Sequence, residues 1–226
     1  MSVGALLLCA GKGERLAAGV DKPLAPVAGK PLFTWSLAAL QRCGAIAGIV
    51  MVGPVARLKD LLAASGHSTE KIVAWTEGGR ERQQSVGRGL HVLPETFTTV
   101  AVHDCARALV SPELVARVVA DALAHGAALA AVPVDDSLKR VSLHVVESTV
   151  PRAGLWRAQT PQAFRRDWLE EAHRTVKGSA TDDAALVESL GHPVRITPGD
   201  PLNFKITTRQ DLELAEAWLT AHAVRS

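Results

Sequence analysis

Apolar runs bounded by glycine or polar residues alternate along the chain with segments in which apolar residues recur every three or four positions. Five runs predict strands: Val3–Ala10, Gly48–Gly53, Lys71–Trp75, Thr98–Asp104 and Ala127–Val134. The first of these runs has no polar alternation. Such a strand is typical of a sheet that is covered by helices on both faces.

Prolines, glycines and a serine mark the ends of the helical segments. One segment begins at Pro31 and stops at Gly44, and another has Ser111 as N-cap, Pro112 as first residue and Gly126 as stop. These residue types are the most common ones at those positions. Further helices are predicted at Glu81–Leu93 and near Arg165–Val176, Asp182–Leu190 and Thr208–Ala223.

Repeated alternation of strand and helix predicts an α/β fold with right-handed crossovers. We expect a three-layer αβα, Rossmann-like architecture with a mainly parallel twisted sheet. The alternation breaks between Ser137 and Thr160, where two strand-like runs flank a turn predicted at Thr149–Gly154. We interpret this part as a projecting β-arm, a subdomain of about 137–160 within a single domain of residues 1–226.

Composition narrows the class of protein. The 226 residues are 47% hydrophobic, with 25 basic and 23 acidic side chains and a formal charge of +2. We therefore expect a folded protein without a general affinity for nucleic acid. The widely spaced Cys9, Cys43 and Cys105 form no disulfide framework, and no run predicts a signal peptide or a membrane span. These features together predict a cytoplasmic location.

A glycine loop follows the first predicted strand, at the edge of the sheet where ligands bind in such folds. Gly11 and Gly13 match two glycines of the dinucleotide fingerprint, but Leu16 occupies the third position. The P-loop pattern also fails, because Lys12 precedes a glycine. What remains is a loop whose N–H groups can approach an anion, or a plain glycine turn beside solvated cations.

Six segments together resemble the 2-C-methyl-D-erythritol 4-phosphate cytidylyltransferases of the non-mevalonate isoprenoid pathway. The resemblance runs from Leu6 to Ala217, in the family's order. The segments read LLLCAGKGERLAAGVDKPL, EGGRERQQSV, HDCAR, DDSLKR, GLWRAQTPQAF with ATDDAALVE, and GDPLNFKITTRQDLELAE. The resemblance implies that a phosphomonoester oxygen attacks the α-phosphorus of CTP and expels pyrophosphate. Positive charge and alignment are the main requirements of that reaction.

The resemblance also implies roles for the nucleotide-binding residues. Arg15 and Lys22 bind the triphosphate and stabilise the charge on the transferring group. The other nucleotide-binding positions are Ala10, Gly11, Gly13, Gly79, Ser85, Asp104 and Cys105. Asp104 is the expected ligand for Mg²⁺ or another divalent cation, and it also contacts the sugar phosphate. Read without the family pattern, Asp104 is a capping or turn aspartate, and His103 is structural.

The sugar-alcohol phosphate is held, by the same resemblance, by cations and hydroxyl groups. These residues are Asp104, Arg107, Ser137, Arg152, Thr160, Thr181 and Lys205, of which Arg152 and Lys205 are also catalytic. Simpler interpretations exist: Thr181 as a helix N-cap and Arg152 as a turn cation. Leu202 occupies a position that is often acidic in the family. Asp200 replaces that carboxylate only if the loop bends suitably.

The arm in this family crosses to a second subunit, so the resemblance implies a homodimer in which Ser137 and Arg152 complete the partner's site. Three other functions stay open at this point. They are a ribitol 5-phosphate cytidylyltransferase, a guanylyltransferase of the molybdenum-cofactor type, and a non-catalytic nucleotide-binding protein. The presence of Arg15, Lys22, Asp104 and Lys205 together argues against the last, because simple binding needs no cations at the α-phosphate.

Overall fold

The structure is a computed structural model that describes residues 2–11, 22–176 and 180–223. Its eleven described strands are β1 (Ser2–Leu8), β2 (Pro26–Val27), β3 (Lys30–Pro31), β4 (Gly48–Val52), β5 (Ile72–Thr76), β6 (Phe97–Asp104), β7 (Ala127–Pro133), β8 (Leu138–Ser142), β9 (Val145–Val150), β10 (Trp156–Arg165) and β11 (Arg195–Pro198). Seven of them form the central sheet, in the order β11-β7-β10-β6-β1-β4-β5. Of these seven, only β10 runs antiparallel to its neighbours.

Helices cover both faces of this sheet. They are α1 (Leu32–Arg42), α2 (Val55–Ser65), α3 (Arg82–Val92), α4 (Pro112–His125), α5 (Arg166–Thr175), α6 (Asp183–Ser189) and α7 (Arg209–Ala223). Successive residues of β1 point to opposite faces of the sheet. Leu7 packs in a core cluster with α1, α2 and α4, whereas Leu6 packs in a second cluster with α3, α5 and α6. The predicted α/β fold class is confirmed.

Several helix ends match the sequence prediction. The Ser111 hydroxyl accepts a hydrogen bond from the backbone N–H of Leu114 at 3.1 Å, and α4 stops at Gly126, which has φ +92°. The sequence analysis does not predict α2 or β11. The apolar pair Leu58 and Leu62, spaced four residues apart and buried, is the helical signal in α2.

Strand β10 enters the sheet between β6 and β7 and is antiparallel to both. Its register against β7 shifts between Ala158 and Gln162. Thr160 lies inside this irregular part, so its side chain is available for a contact outside the strand ladder. That contact is with the end of β6, at the candidate site.

The arm differs in detail from the sequence prediction. Strands β8 and β9 form a two-stranded hairpin whose turn lies at Leu143 and His144, not at Thr149–Gly154. Leu143 and His144 have φ of +47° and +65°, a conformation that glycine or asparagine usually supplies in such turns. The segment LWRAQ does not form the second strand of the arm. Its residues from Trp156 onward begin β10, which pairs with β7.

The side chains of Phe97 and Leu93 pack against glycines on two neighbouring strands, with Leu93 Cδ1 2.7 Å from a Cβ added at Gly4. A Cβ added at Gly48 of β4 lies 2.4 Å from the Phe97 ring, and one at Gly4 of β1 lies 3.1 Å from it. Both glycines therefore leave the space that the Phe97 side chain occupies. Within the described residues, no helix combines the length and the hydropathy that a membrane crossing requires.

Candidate active site

A cleft of about 420 Å³ opens at the carboxyl ends of β1 and β6. The loop before α3 and a segment before α7 complete its walls. The residues around it are Leu8, Ala10, Gly11, Lys22, Pro23, Gly79, Arg80, Glu81, Arg82, Ser85, Asp104, Cys105, Ala106, Lys205 and Thr207. Segments distant in sequence therefore meet at the sheet edge where ligands bind in α/β folds.

The wall after β1 is built by close backbone packing. Backbone hydrogen bonds from Cys9 to Val52 and from Cys105 to Leu8 hold the end of this strand between its neighbours. A Cβ added at Gly78 lies only 2.1 Å from the Cβ of Ala10, so the two loops touch here. In contrast, a Cβ added at Gly11 has no atom of residues 2–11, 22–176 or 180–223 within 4 Å. The described residues therefore leave the space over Gly11 unfilled.

The start of α3 forms the facing wall. Glu81 and Gln84 form a reciprocal capping box at this helix end. The Ser85 hydroxyl accepts a hydrogen bond from the N–H of Gly79 at 2.9 Å and donates one to the Glu81 carbonyl at 3.2 Å. These bonds fix the conformation of the loop at Gly79. The positive end of the helix dipole near the cleft favours an anionic ligand.

Asp104, at the end of β6, is the acidic centre of the cleft. Its Oδ1 atom accepts a hydrogen bond from Arg82 Nε at 3.1 Å, and its Oδ2 atom accepts one from Lys205 Nζ at 2.7 Å. Burial by itself raises the pKa of Asp104, but the charges of Arg82 and Lys205 outweigh it and hold that pKa well below its usual range. The carboxyl is therefore ionised at neutral pH.

Thr160 holds the backbone of Asp104 from behind. Its Oγ1 atom accepts a hydrogen bond from the Asp104 N–H at 3.1 Å and lies 3.1 Å from Nδ1 of His103. Burial, with the nearby charges of Arg107 and Arg82, lowers the pKa of His103 to about 4. His103 is therefore neutral near pH 7 and serves as a buried hydrogen-bonding residue.

Arg107 contacts protein carbonyls in this structure. Its Nη1 atom donates to the Asn203 carbonyl at 2.8 Å and its Nη2 atom donates to the Ala158 carbonyl at 3.2 Å. Arg107 therefore braces three segments next to the cleft, and it is not among the residues that line it. Its predicted contact with the sugar phosphate requires these bonds to rearrange.

Three predicted substrate ligands lie elsewhere on the chain. Ser137 is exposed before β8, and Arg152 Nη1 donates to the carbonyl of Asp135 at the base of the hairpin. Thr181 is exposed and is not a helix cap, because Asp182 caps α6 by accepting from the Ala185 N–H at 3.0 Å. None of the three lines the cleft within this chain.

The remaining predicted residues divide into two groups. Ala10, Gly11, Lys22, Gly79, Ser85, Asp104, Cys105 and Lys205 all line the cleft. Gly13 and Arg15 lie outside the described residues, so their predicted contacts with the triphosphate stay predictions.

Asp104 is a carboxylate through which the cleft can bind Mg²⁺. Asp104 is ionised and faces the cleft, and a carboxylate has lone pairs beyond those taken by two hydrogen bonds. Across residues 2–11, 22–176 and 180–223, no three His, Cys, Asp or Glu side chains group as metal ligands. Asp200 does not line the cleft, and its Oδ1 atom accepts from the Leu202 N–H. Mg²⁺ commonly takes one or two carboxylates, with water and phosphate oxygens as its other ligands.

Arg82, Asp183 and His173 carry no predicted role in the sequence. Arg82 bridges Asp104 and Asp183, and Asp183 in turn lies 2.9 Å from His173. The one available signal was the position of Arg82 in the segment EGGRERQQS, which opens α3 beside the cleft.

Comparisons with protein families and curated sequences agree with the resemblance seen in the sequence. The family model described as 2-C-methyl-D-erythritol 4-phosphate cytidylyltransferase (IspD) matches residues 3–221. A curated relative with that name from Gloeobacter violaceus is 43% identical, covering 95% of this chain and 94% of its own length. Another, from Prochlorococcus marinus, is 40% identical, covering 96% and 98%.

A solved structure agrees with the sequence matches. The crystal structure of the enzyme with this name from Thermus thermophilus is 36% identical and has a TM-score of 0.79. The match covers 97% of this chain and 100% of the other. A cleft with an ionised aspartate between two cations, on this fold and with these relatives, leads to one assignment: the chain belongs to the 2-C-methyl-D-erythritol 4-phosphate cytidylyltransferase family.

Proposed function

We propose that this cleft transfers CMP from CTP to 2-C-methyl-D-erythritol 4-phosphate, giving 4-diphosphocytidyl-2-C-methyl-D-erythritol and pyrophosphate. The family match makes the chain a nucleotidyltransferase of the non-mevalonate isoprenoid pathway. The observation that supports a catalytic cleft is that Lys22 and Lys205, from opposite ends of the chain, both line it beside Asp104. Converging cations are what a reaction between two anions requires.

The chemistry needs no protein base. An oxygen of the sugar phosphate, already anionic, forms a bond to the α-phosphorus of CTP, and the bond from that phosphorus to the bridging oxygen of the β-phosphate breaks. Lys22 and Arg15 stabilise the negative charge that builds on the transferring group and on the departing pyrophosphate. Lys205, with Arg152, orients the attacking phosphate, because two cations align a dianion better than solvent does.

Backbone groups recognise the nucleotide in this proposal. Ala10, Gly11 and Gly13 present N–H groups to the triphosphate, and the described residues leave room for a close approach over Gly11. Gly79 and Ser85 contact the cytosine and ribose on a loop that is already rigid. A base without matching groups cannot form the hydrogen bonds that CTP forms with this loop, and this gives selectivity for CTP.

We propose Mg²⁺, or another divalent cation, as the metal, held by Asp104. When bound, the ion neutralises phosphate charge and fixes the conformation of the triphosphate. Arg107, Ser137 and Thr181 complete the proposed sugar-phosphate site, with hydroxyl groups for the polyol and a guanidinium for its phosphate. Thr160 contributes by holding the backbone of Asp104. Cys105 forms part of the wall beside the nucleotide.

The test is pyrophosphate release with purified protein. We expect turnover with CTP, 2-C-methyl-D-erythritol 4-phosphate and Mg²⁺, and much less with GTP or with ribitol 5-phosphate. Lys22→Ala should lower turnover by about 10²–10³, the usual effect of removing one preorganised charge. Faster turnover of ribitol 5-phosphate or GTP would redirect the assignment. An inert wild type that still binds CTP would indicate a binding protein.

We also propose a homodimer joined through the β8–β9 hairpin. The support is the exposure of Val141, Leu143, Val145 and Val146, which are 52%, 93%, 66% and 57% exposed. A two-stranded hairpin with bare apolar side chains has little stability of its own and is typical of an interaction site. Arg152, at the base of this hairpin, then reaches the partner's cleft.

Complementation tests the shared site. Asp104→Asn and Arg152→Ala are each expected to be nearly inactive. A one-to-one mixture, after subunit exchange, should regain activity at about a quarter of all sites, because one site in each mixed dimer has both side chains intact. No recovery, or elution as a monomer at micromolar concentration, would contradict the dimer.

A cytoplasmic location is the last part of the proposal, supported by three free, buried cysteines.

A further inference from the structure

Arg82 joins the candidate site to a buried carboxylate that no substrate can reach. It is the first residue of α3, and its Nε atom donates to Asp104 Oδ1 at 3.1 Å. Its Nη1 atom donates to Asp183 Oδ2 at 2.6 Å, and Asp183 Oδ1 lies 2.9 Å from Nε2 of His173. The Asp183 side chain is 1% exposed. The ends of β6, α3, α5 and α6 therefore meet through one guanidinium.

The guanidinium suits this bridge and an ammonium does not. A planar fork offers donors in separate directions, whereas lysine carries a single point charge. Burial acts to lower the pKa of Arg82, but Asp183 and Asp104 outweigh it and raise that pKa, so the group stays charged. Its Nη2 atom is buried without a hydrogen-bond partner in the described part of the chain. A site of this kind leaves little freedom for the arginine to move.

The two cations that contact Asp104, Lys205 and Arg82, differ in how freely they can move. The Lys205 side chain is 43% exposed and sits on a flexible stem, whereas that of Arg82 is 27% exposed and held at its far end by Asp183. Lys205 can therefore turn toward an incoming phosphate. Arg82 then remains as the contact that keeps the Asp104 carboxylate in place.

We propose that Arg82 is a positioning residue that, anchored by Asp183, holds the Asp104 carboxylate in its orientation toward the cleft while Lys205 exchanges partners from Asp104 to the substrate phosphate. The inference rests on the proposed cytidylyltransferase reaction. Arg82 acts through Asp104, and Asp183 acts through Arg82. Their loss is therefore expected to change turnover more than nucleotide affinity.

The experiment compares Arg82→Lys and Asp183→Asn with wild type by steady-state kinetics and thermal melting. Each variant should lower kcat by about 10- to 100-fold, the usual effect of removing a group that orients a functional side chain, with little change in KM for CTP. The matched control is Arg166→Lys. Arg166 is also largely buried and donates to the carbonyls of Leu93 and Pro94 at 3.1 and 2.7 Å. It should lose thermal stability and keep kcat.

A double-mutant cycle separates positioning from direct substrate contact. Adding Arg82→Lys to Asp104→Asn should cause little further loss, because the carboxylate that it orients is already gone. If Asp104→Asn is too slow to measure, the double variant Arg82→Lys, Asp183→Asn is used instead. The fold-losses in kcat of the two single variants should then not multiply in the double variant. Multiplying losses, or an unchanged kcat in both single variants, would overturn the inference. An inactive wild type would instead reject the proposed reaction itself.

Discussion

Replacing Gly11 and Gly78 separately by alanine distinguishes a ligand-binding loop from a plain glycine turn. Both glycines border the cleft loops, and neither has a left-handed φ. They differ in what an added methyl group meets. At Gly78 it lies 2.1 Å from the Cβ of Ala10, but at Gly11 no atom of the described part of the chain lies within 4 Å. One substitution therefore tests the fold, and the other tests the approach of a ligand.

The expected magnitudes follow from these distances. Overpacking at Gly78 costs about 1–3 kcal/mol, and at roughly 2–4 °C per kcal/mol for a chain of this size the Tm falls by about 2–12 °C. Alanine at Gly11 reduces the conformational freedom of the unfolded chain. It should leave the free energy of unfolding unchanged or raise it by up to about 0.4–1 kcal/mol, with the Tm equal or slightly higher. Loss of one hydrogen bond to a charged ligand should weaken CTP binding by about 10- to 100-fold.

The assays are thermal melting without ligand and calorimetric titration with CTP and Mg²⁺. Gly11→Ala should keep its Tm and lose affinity for CTP, whereas Gly78→Ala should have a lower Tm. A Gly11→Ala protein that binds CTP like the wild type would refute the close backbone approach. A Gly78→Ala protein that melts like the wild type would show that the two loops do not touch.

Three further outcomes test the walls of the cleft. Lys205→Met should lower kcat by about 10²–10³ in the pyrophosphate assay while the Tm changes little, since the lysine is substantially exposed; an equal kcat would remove it from the reaction. Thr160→Val leaves the buried N–H of Asp104 without its acceptor, so chemical denaturation should show a loss of about 1–3 kcal/mol. Asp211 accepts three hydrogen bonds from Thr207 and Thr208 at 2.7 to 2.8 Å, and Asp211→Ala should cost about 0.5–2 kcal/mol. Burial acts to raise the pKa of Asp211, but the bonds from Thr207 outweigh it and lower that pKa. The contribution is thus present at neutral pH and lost as the pH falls below the ordinary value of 3.8, and melts of Asp211→Ala should depend less on pH there.

The fold was predictable because its signals are local. Apolar runs such as Val3–Ala10 and the cap residues at Ser111 and Gly126 specify strands and helices without reference to distant residues. The turn of the arm was not predictable in this way. Leu143 and His144 adopt positive φ without glycine or asparagine, so the sequence there continues to look like a strand.

Residues that line the cleft were predictable only where a family motif named them. Lys22, Asp104 and Lys205 are such positions, and the fold brings them to one cleft. The bridge from Arg82 to Asp183 joins residues far apart in sequence, in α3 and α6. No periodicity or composition encodes that contact. It depends on how helices from separate crossovers pack on one face of the sheet.

The ring of Phe97 fills the space above Gly4 and Gly48, two glycines on neighbouring strands. We therefore expect these three positions, together with Leu93, to vary in a coordinated way. A methyl group at Gly48 needs a smaller residue at position 97, and one at Gly4 also needs the Leu93 side chain to move, because its Cδ1 atom lies 2.7 Å away. A smaller residue at position 97 leaves a void unless a glycine is replaced. Mutational libraries that vary these sites singly should be depleted of folded members, and compensating pairs should be recovered among distant homologues.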